Sequence, residues 1–283
     1  LILFFLVFIV FPSTDVGASE QKMTVHFINV GQGDSILIET PTKEHILIDG
    51  GPPDASKKVI TYLKNQNIKE IDLLIATHPD IDHIGGLLKV LDQFSIKEIW
   101  DTGKFYYTRT YHRYFRKINK KSIPLKIVDI DTLINFGDKN EVSLKVLNAN
   151  SLFKTNNQSS LALSLTYGSV DFLLMSDVER KQEIKIMQRA DVASEILKVA
   201  HHGSDTSSSF AFLQAVDPEI AILSYGRDNT YGHPVGITVD KLLDVGATIY
   251  STAKAGDVVI TTDGKDYCID VTGVGKLISK PIH

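Results

Sequence analysis

The alternation of hydrophobic and polar residues predicts short strands that alternate with helices. Strand-like runs rich in Val, Ile and Leu stand at residues 23–30, 34–40, 45–49, 71–77, 142–149, 160–167, 170–176, 195–200 and 220–225. Helical periodicity appears between them, at residues 55–66, 83–94, 108–121, 178–189, 207–216 and 237–245. This pattern predicts an α/β protein whose helices cover two sheets from outside, in four layers. No linker rich in Pro and Gly divides the chain, so residues 19–283 are predicted to form one domain.

The N-terminal segment is predicted to be an export signal. Residues 1–11 are all hydrophobic, which is shorter than the roughly 20 residues of a membrane span but fits the core of a signal peptide. Small residues before Ser19 suit cleavage after Ala18, so residues 1–18 are assigned to a signal peptide. An uncleaved N-terminal anchor and a buried strand are the alternatives. Export predicts an extracellular or cell-surface protein with no stable membrane span after processing.

Composition and charge exclude few function classes. Hydrophobic residues make up 43% of the 283 residues and charged residues 23%, which is ordinary for a globular protein. The net charge is −4, so nucleic acid could be attracted only by a local cationic patch or a metal. The single cysteine, Cys268, excludes a framework of internal disulfides.

The segment ATHPDIDHIGG, residues 76–86, places four potential metal ligands within six residues at a predicted strand–helix junction. Alternate residues at a strand end can point the same way, so His78 and Asp80 are predicted to share one ion. Asp82 and His83 stand where the helix begins. Imidazole and carboxylate ligands together suit Zn²⁺ or Mn²⁺. The alternative is that Asp82 is a helix N-cap and the histidines are surface residues.

This segment resembles the second motif of the metallo-β-lactamase superfamily, H-x-H-x-D-H, with Asp80 at the position of the second histidine. The variant H-x-D-x-D-H followed by IGG resembles the hydrolase-like domain of ComEC-type DNA-uptake proteins. The resemblance extends over residues 23–272 and includes VGQGDSILI (30–38), LIDGG (47–51), LLMSD (173–177), LKVAHHGS (197–204) and NTYGHP (229–234). It implies a four-layer αββα metallo-β-lactamase sandwich that holds two divalent metal ions, Zn or Mn.

The resemblance also implies the remaining ligands. Asp177 is expected to bridge the two ions, and either His201 or His202 to complete the second position with Asp82 and His83. Asp49 is expected to support the site from behind, with a turn-forming role before Gly50-Gly51 as the alternative.

Two further segments are assigned to the site by resemblance. No histidine lies between His112 and His201, where the superfamily has its third motif. Asn157 and Ser160 stand there instead and are expected to touch metal, water or substrate, unless they only form a strand-entry turn. In the loop that contains Asn229 and Tyr231, His233 is expected to contact a phosphate or to protonate a leaving oxygen. A purely structural loop is the alternative.

Residues 104–121 contain seven Lys or Arg and no acidic residue. At helical spacing, one stripe of this segment is apolar and the opposite stripe is cationic. The simpler interpretation places the apolar stripe against the core and the bases in solvent. The stronger one adds a polyanion-binding surface, because Arg and Lys neutralise phosphates and tyrosines can stack on bases. The apolar stripe is Tyr107, Tyr111, Phe115 and Ile118, and the cationic stripe is Arg109, Arg113, Arg116 and Lys120.

The predicted function is an exported metal-dependent hydrolase, a phosphodiesterase or nuclease that acts on DNA or another phosphodiester through a metal-activated water. Its catalytic residues are expected to be Asp82, Asp177 and His233. One alternative is a hydrolase of cell-wall phosphocholine or teichoic-acid esters, or of small-molecule esters. Another is a non-catalytic metal-binding module. Nothing in the sequence indicates a protein partner.

Overall fold

Strands and helices alternate along the computed structural model, which describes residues 21–137, 141–149 and 152–273. Its strands are β1 Met23–Phe27, β2 Ile36–Glu39, β3 His45–Ile48, β4 Glu70–Ala76, β5 Ser95–Asp101, β6 Leu125–Ile127, β7 Leu133–Phe136, β8 Val142–Asn148, β9 Ala162–Tyr167, β10 Val170–Leu174, β11 Ile196–Lys198, β12 Ile220–Leu223, β13 Thr248–Ser251, β14 Val258–Thr262 and β15 Tyr267–Val271. Its α-helices are α1 Ser56–Asn65, α2 Ile81–Ile84, α3 Leu87–Gln93, α4 Arg109–Lys121, α5 Asn156–Ser159, α6 Arg180–Met187, α7 Phe210–Val216, α8 Gly236–Asp244 and α9 Thr252–Ala255.

These strands form two sheets. The first has the order β15-β14-β1-β2-β3-β4-β5-β6 and the second the order β13-β12-β11-β10-β9-β8-β7. Strands β3 to β6 are parallel to one another, and so are β10 to β13. The other neighbours in both sheets are antiparallel.

A hydrophobic core fills the space between the sheets. Alternate residues of each strand point into it, as Leu73 and Ile75 of β4 do. The intervening residue, Leu74, packs on the opposite face against α1, α3 and α4. Because β4 is covered on both faces, its sequence is almost continuously apolar.

The outer face of the second sheet is covered in the same way by α6, α7 and α8. The layers are therefore helices, sheet, sheet and helices, which confirms the predicted αββα sandwich.

One predicted helix is divided in two. The pattern at 83–94 predicts a continuous helix, but α2 and α3 are separated at Gly85-Gly86. A loop docks there, since Gly50 N donates to the His83 carbonyl over 2.8 Å and Gly86 N to the Gly51 carbonyl over 2.8 Å. A Cβ atom on Gly86 would stand 1.9 Å from the Gly50 carbonyl oxygen. Only glycine allows this approach, which joins the 49–51 loop to α2.

The predicted signal peptide, residues 1–18, lies outside the described residues and stays a prediction. Among the residues that are described, no helix combines the length and hydrophobicity needed to cross a bilayer.

The assigned core predicts that mutations of two phenylalanines change the free energy of unfolding by different amounts. Phe172 is fully buried between the sheets, whereas Phe210 at the start of α7 is 42% exposed. Phe172→Ala is expected to lower the free energy of unfolding by about 3–5 kcal/mol, because it removes buried surface and leaves a cavity. Phe210→Ala should change it by about 0.5 kcal/mol or less. Urea unfolding of both variants measures the difference, and equal effects would contradict the assigned core.

Candidate metal centre

The candidate ligands lie at the carboxyl ends of parallel strands in both sheets. His78 and Asp80 follow β4, Asp177 follows β10, and the pair His201-His202 follows β11. Carboxyl ends of parallel strands meet at one edge of a sheet, and the two sheets bring their edges together here. Residues separated by more than one hundred positions therefore converge on one point.

Asp177 stands at the centre of this convergence. Its Oδ2 atom lies 3.7 Å from His78 Nε2, 3.5 Å from His83 Nε2 and 3.8 Å from His201 Nε2. Its Oδ1 atom lies 3.7 Å from His202 Nε2. A cation bonded to such atoms at about 2 Å holds them roughly 3–4 Å apart, so the spacing suits shared ions.

Several buried polar atoms at this point have no hydrogen-bond partner among the residues that the structure describes. They are His78 Nε2, His83 Nε2, His202 Nε2 and Asp177 Oδ1. An unsatisfied buried polar atom costs about 1–3 kcal/mol, so four together in one place call for a ligand. Nitrogen lone pairs and carboxylate oxygens are donors that Zn²⁺ and Mn²⁺ accept. The residues present fit divalent metal ions.

The potential metal-binding atoms form two sets that share His83, one on each side of Asp177. We call these the first side and the second side. One set is His78, His83 and Asp177, and another is Asp82, His83 and His202. Asp80 Oδ2 lies 3.5 Å from His78 Nε2, on the first side. Asp82 Oδ2 lies 3.5 Å from His202 Nε2, on the second side. His78 and Asp80 thus lie on one side and Asp82 on the other, while His83 belongs to both sets.

The two adjacent histidines have different surroundings. His202 is buried, and its Nδ1–H donates to the Ser224 carbonyl over 2.9 Å, which leaves Nε2 to face Asp82 and Asp177. His201 is more exposed and turns toward the first side, where its Nε2 lies 3.3 Å from Asn157 Nδ2. Both have a positive φ, 49° and 56°, so the backbone is bent sharply to aim the two rings apart.

Hydrogen bonds behind the centre orient its imidazoles. The carboxylate of Asp49 accepts from His83 Nδ1 over 2.7 Å and from both the backbone N and the hydroxyl of Thr77, over 2.9 and 2.6 Å. With the proton on Nδ1, the Nε2 lone pair of His83 faces the centre. Asp49 is therefore placed as a supporting residue rather than as a simple turn.

The electrostatics of the metal-free centre favour charged groups despite burial. Burial opposes a charged imidazole, yet the Asp177 and Asp49 carboxylates hold the pKa of His83 well above its usual value. Burial likewise opposes an ionised carboxyl group at Asp177, yet His202 and His83 hold its pKa well below the usual range. A proton on His83 thus competes with a metal ion at this centre.

Of Asn157 and Ser160, which stand in the region of the third motif, Asn157 lies near the first side. Asn157 contacts His201, whereas the Ser160 hydroxyl is buried without a hydrogen-bond partner among the described residues. The neighbour Asn156 donates to Asp80 Oδ1 over 2.6 Å, a contact that sequence reasoning missed. No sequence pattern marks Asn156 as a spatial neighbour of Asp80.

The 229–234 loop covers the outer side of the centre. The ring of His233 lies 5.5 Å from that of His201 and stacks at 5.8 Å with the exposed ring of Tyr231. Asn229 points back into its own loop, where its amide donates to the His233 carbonyl and its oxygen accepts from His233 N. Asn229 is therefore placed to hold the loop that presents His233 and Tyr231.

Sequence reasoning also missed Asp34 and Lys198. Lys198 is the one charged residue of an otherwise apolar strand, and Asp34 follows Gly31-Gln32-Gly33. A Cβ atom on Gly33 would stand 2.1 Å from the Asp82 carbonyl oxygen, so glycine there lets the Asp34 segment lie against α2. The lysine in this buried strand is the sequence signal from which a buried ion pair could have been predicted.

Helix α4 packs against α2 and α3 with a cationic outer face. Tyr111 and Ile118 are buried, as predicted, and Phe115 is half-buried. The prediction for Tyr107 is wrong, because this residue precedes the helix and is 86% exposed. Tyr114 is buried in its place. The exposed bases Arg109, Arg113, Arg116 and Lys120 have no ion-pair partner within the described part of the chain.

Known proteins are similar to this chain in sequence or in fold. The family described as the metallo-beta-lactamase superfamily matches residues 28–227. ComE operon protein 3 of Bacillus subtilis is 29% identical over 229 residues, which are 74% of this chain and 29% of that protein. Competence protein ComA of Neisseria gonorrhoeae is 27% identical over 240 residues, 84% of this chain and 32% of that protein. These matches confirm the resemblance, and the chain spans less than a third of the length of either relative.

A solved structure agrees on the fold. Igni18, a metallo hydrolase from the archaeon Ignicoccus hospitalis, is similar with a TM-score of 0.55 at 15% identity, over 83% of this chain and 98% of that chain. At this identity the likeness concerns the architecture alone.

Metal binding is expected to strengthen as the pH rises. Because the pKa of His83 is raised in the metal-free protein, a proton competes with the ion until the pH exceeds that pKa. Below it, the apparent affinity should rise about tenfold per pH unit for each proton released, as measured by competition with a chelating dye between about pH 5.5 and 8.5.

Two variants test the cause of this dependence. Asp49→Asn should reduce it, because the carboxylate that raises the pKa of His83 is lost. Asp72→Asn, on the outer face of the first sheet, should leave it unchanged. An affinity independent of pH would contradict the assignment of His83 as a ligand.

Proposed function

This chain belongs to the metallo-β-lactamase superfamily, and we propose that it is a metal-dependent phosphodiesterase that cleaves DNA. The superfamily is one of metallo-hydrolases whose fold uses divalent metals, and the described residues contain matching His/Asp clusters. The choice of a phosphodiester, and of DNA, depends on features of this chain.

The cationic outer face of α4, a helix that packs on the metal-motif helix α2, is the observation that carries this proposal. Helix α4 packs on α2, which contains Asp82 and His83. Its four exposed Arg and Lys side chains, which have no ion-pair partner among the described residues, form a local cationic surface on a protein whose net charge is −4. Such a surface attracts a phosphate backbone, whereas a neutral ester gains nothing from it. The exposed rings of Phe105 and Tyr107, directly before α4, add surfaces on which bases can stack.

The composition of the centre is consistent with phosphate chemistry. Asp80 stands where the superfamily motif has a histidine, so the first side has one more carboxylate than that motif supplies. Carboxylate ligands favour harder ions such as Mn²⁺. His78, Asp80, Asp82, His83, Asp177 and His202 would hold two such ions, which would lower the pKa of a bound water and stabilise negative charge on a phosphate.

The residues of the chain have separable roles in this proposal. Asp177 and Asp82 orient the groups held at the centre. His233 approaches the substrate from the outer loop, and burial, with His201 and His202 adding to it, lowers its pKa below the usual value. A neutral imidazole at that position donates an N–H hydrogen bond to a phosphate or leaving oxygen. Tyr231 forms the wall next to it.

The names of the relatives state no substrate. One is named a competence protein, and the chain covers less than a third of either relative. We therefore carry over no channel function. We also propose, from the pattern of residues 1–18, that the enzyme acts outside the cytoplasm.

Cleavage of DNA is expected to require both the metal and Asp82. Single- and double-stranded oligonucleotides should be cut in Mn²⁺ or Zn²⁺ and remain intact in EDTA. Asp82→Ala should reduce the rate at least about a hundredfold, because second-side binding is lost. The matched control Asp54→Ala changes an exposed carboxylate on the molecular surface and should retain full activity. Bound metal with no cleavage of DNA, but cleavage of small phosphodiesters, would overturn the choice of substrate.

Neutralising the α4 face is expected to weaken DNA binding without affecting the chemistry. The double variant Arg113→Gln/Arg116→Gln should lower the slope of log affinity against log salt by about 1–2 and raise KM for DNA. Hydrolysis of bis(p-nitrophenyl) phosphate, too small to reach α4, should not change. Lys57→Gln/Lys69→Gln removes the same charge from a different exposed surface and is the control. An unaltered salt slope in the α4 variant would contradict a DNA-binding role for this face.

A further inference from the structure

A buried ion pair joins the two sheets directly behind the second side of the metal centre. Lys198 Nζ donates to Asp34 Oδ2 over 2.9 Å and to the Val199 carbonyl over 3.1 Å. The Lys198 side chain is fully buried and that of Asp34 is 3% exposed. Asp34 lies in the loop between β1 and β2 of the first sheet, whereas Lys198 belongs to β11 of the second.

Burying such a pair is expensive, so a purely structural purpose is a weak explanation. Taking a carboxylate and an ammonium group out of water costs several kcal/mol per ion, and apolar residues of similar volume often serve stability equally well. The surrounding residues on β11, Ile196 and Leu197, are apolar and pack into the two cores. A buried charged residue directly after them in the same strand therefore needs another explanation.

The second oxygen of Asp34 supplies that reason. Asp34 Oδ1 is buried and has no hydrogen-bond partner among the described residues. It lies 3.6 Å from His202 Nδ1, whose hydrogen bond goes instead to the Ser224 carbonyl. Asp34, Asp177 and His202 also offer donor atoms that all lie within 4.8 Å of one another. One oxygen of Asp34 is thus held by Lys198, while the other lies against the Nδ1 edge of His202, directly behind the second side of the centre.

We propose that Asp34 is a further carboxylate of the metal centre and that Lys198 is its permanent counter-cation. This inference rests on the proposed metal centre but not on the proposed substrate. Asp34 adds negative charge beside His202 and so strengthens binding of the ion on the second side. Lys198 neutralises that charge while the ion is absent.

The charges at the centre balance on this assignment. Its carboxylates are Asp34, Asp49, Asp80, Asp82 and Asp177. Two divalent ions together with the ammonium group of Lys198 carry as many positive charges as these carboxylates carry negative ones. Without Lys198 the loaded centre would retain a buried negative charge, and without Asp34 the ammonium group would repel the neighbouring ion.

Metal binding by a set of charge variants tests the proposal. The full chain would be stripped with EDTA, titrated with Mn²⁺ and with Zn²⁺, and analysed for bound metal by mass spectrometry. Asp34→Asn should weaken binding of one of two ions about 10- to 100-fold, because the uncompensated Lys198 remains beside it. The double variant Asp34→Asn/Lys198→Met, in which the pair is neutral, should bind at least about tenfold more tightly than Asp34→Asn alone.

Thermal unfolding provides a second measurement. Lys198→Met leaves a buried uncompensated carboxylate, so metal should raise its Tm by more than it raises the Tm of the wild type. In Asp34→Asn the rise should be smaller than in the wild type. If Lys198→Met does not fold without metal, the neutral double variant still answers the question. Asp72→Asn and Lys97→Met alter a surface Asp–Lys pair with Oδ1 and Nζ 2.6 Å apart and should match the wild type.

The outcomes separate this inference from the proposed function. If the wild type binds no divalent ion, the metal centre itself is wrong and both proposals fail. If the wild type binds two ions and Asp34→Asn binds them equally tightly, only the role of Asp34 is overturned. A double variant that binds no more tightly than Asp34→Asn would overturn the role of Lys198 as counter-cation.

Discussion

Burial of several carboxylates at one point is the constraint on which the rest of the structure depends. Asp34, Asp49 and Asp177 are each at most 4% exposed, and like charges so close together are tolerated only beside cations. The molecule meets this requirement with imidazoles around Asp177 and with the ammonium group of Lys198 beside Asp34. Divalent ions would complete the neutralisation and satisfy the buried nitrogen atoms that have no other partner. The metal centre is thus also part of what makes the core electrostatically acceptable.

The αββα architecture is what brings these charges together. Neither sheet alone supplies both sides of the centre, since Asp49, His78 and His83 come from the first sheet and its loops, and Asp177 and His202 from the second. The helices pack on the outer faces of the sheets. The glycines at 85–86 let the 49–51 loop come close enough to form hydrogen bonds with the α2 segment. Rigid strand ends then position the ligand atoms more precisely than free loops would.

The centre differs from the superfamily motif on its first side, and the differences are connected. Asp80 replaces an imidazole, and Asn156 donates to the outer oxygen of that carboxylate. His201 turns toward the same side and contacts Asn157, in the region where a third-motif histidine is missing. The backbone bend at His201 and His202 lets neighbouring residues serve opposite sides of Asp177. In the function that we propose, the additional carboxylate at Asp80 and the cationic face of α4 favour a phosphodiester over a neutral substrate.

The sequence alone determined the features that depend on neighbouring residues. Strand and helix periodicity gave the αββα layers, and the spacing in ATHPDIDHIGG identified the ligand cluster, because residues that follow one strand share a local backbone geometry. The tertiary structure alone decided that α2 and α3 are separate, that Tyr107 is exposed, and that His201 and His202 face different sides. It also paired Lys198 with Asp34, 164 residues away. No local pattern encodes such a contact, because two sheets must pack before the two charges can meet.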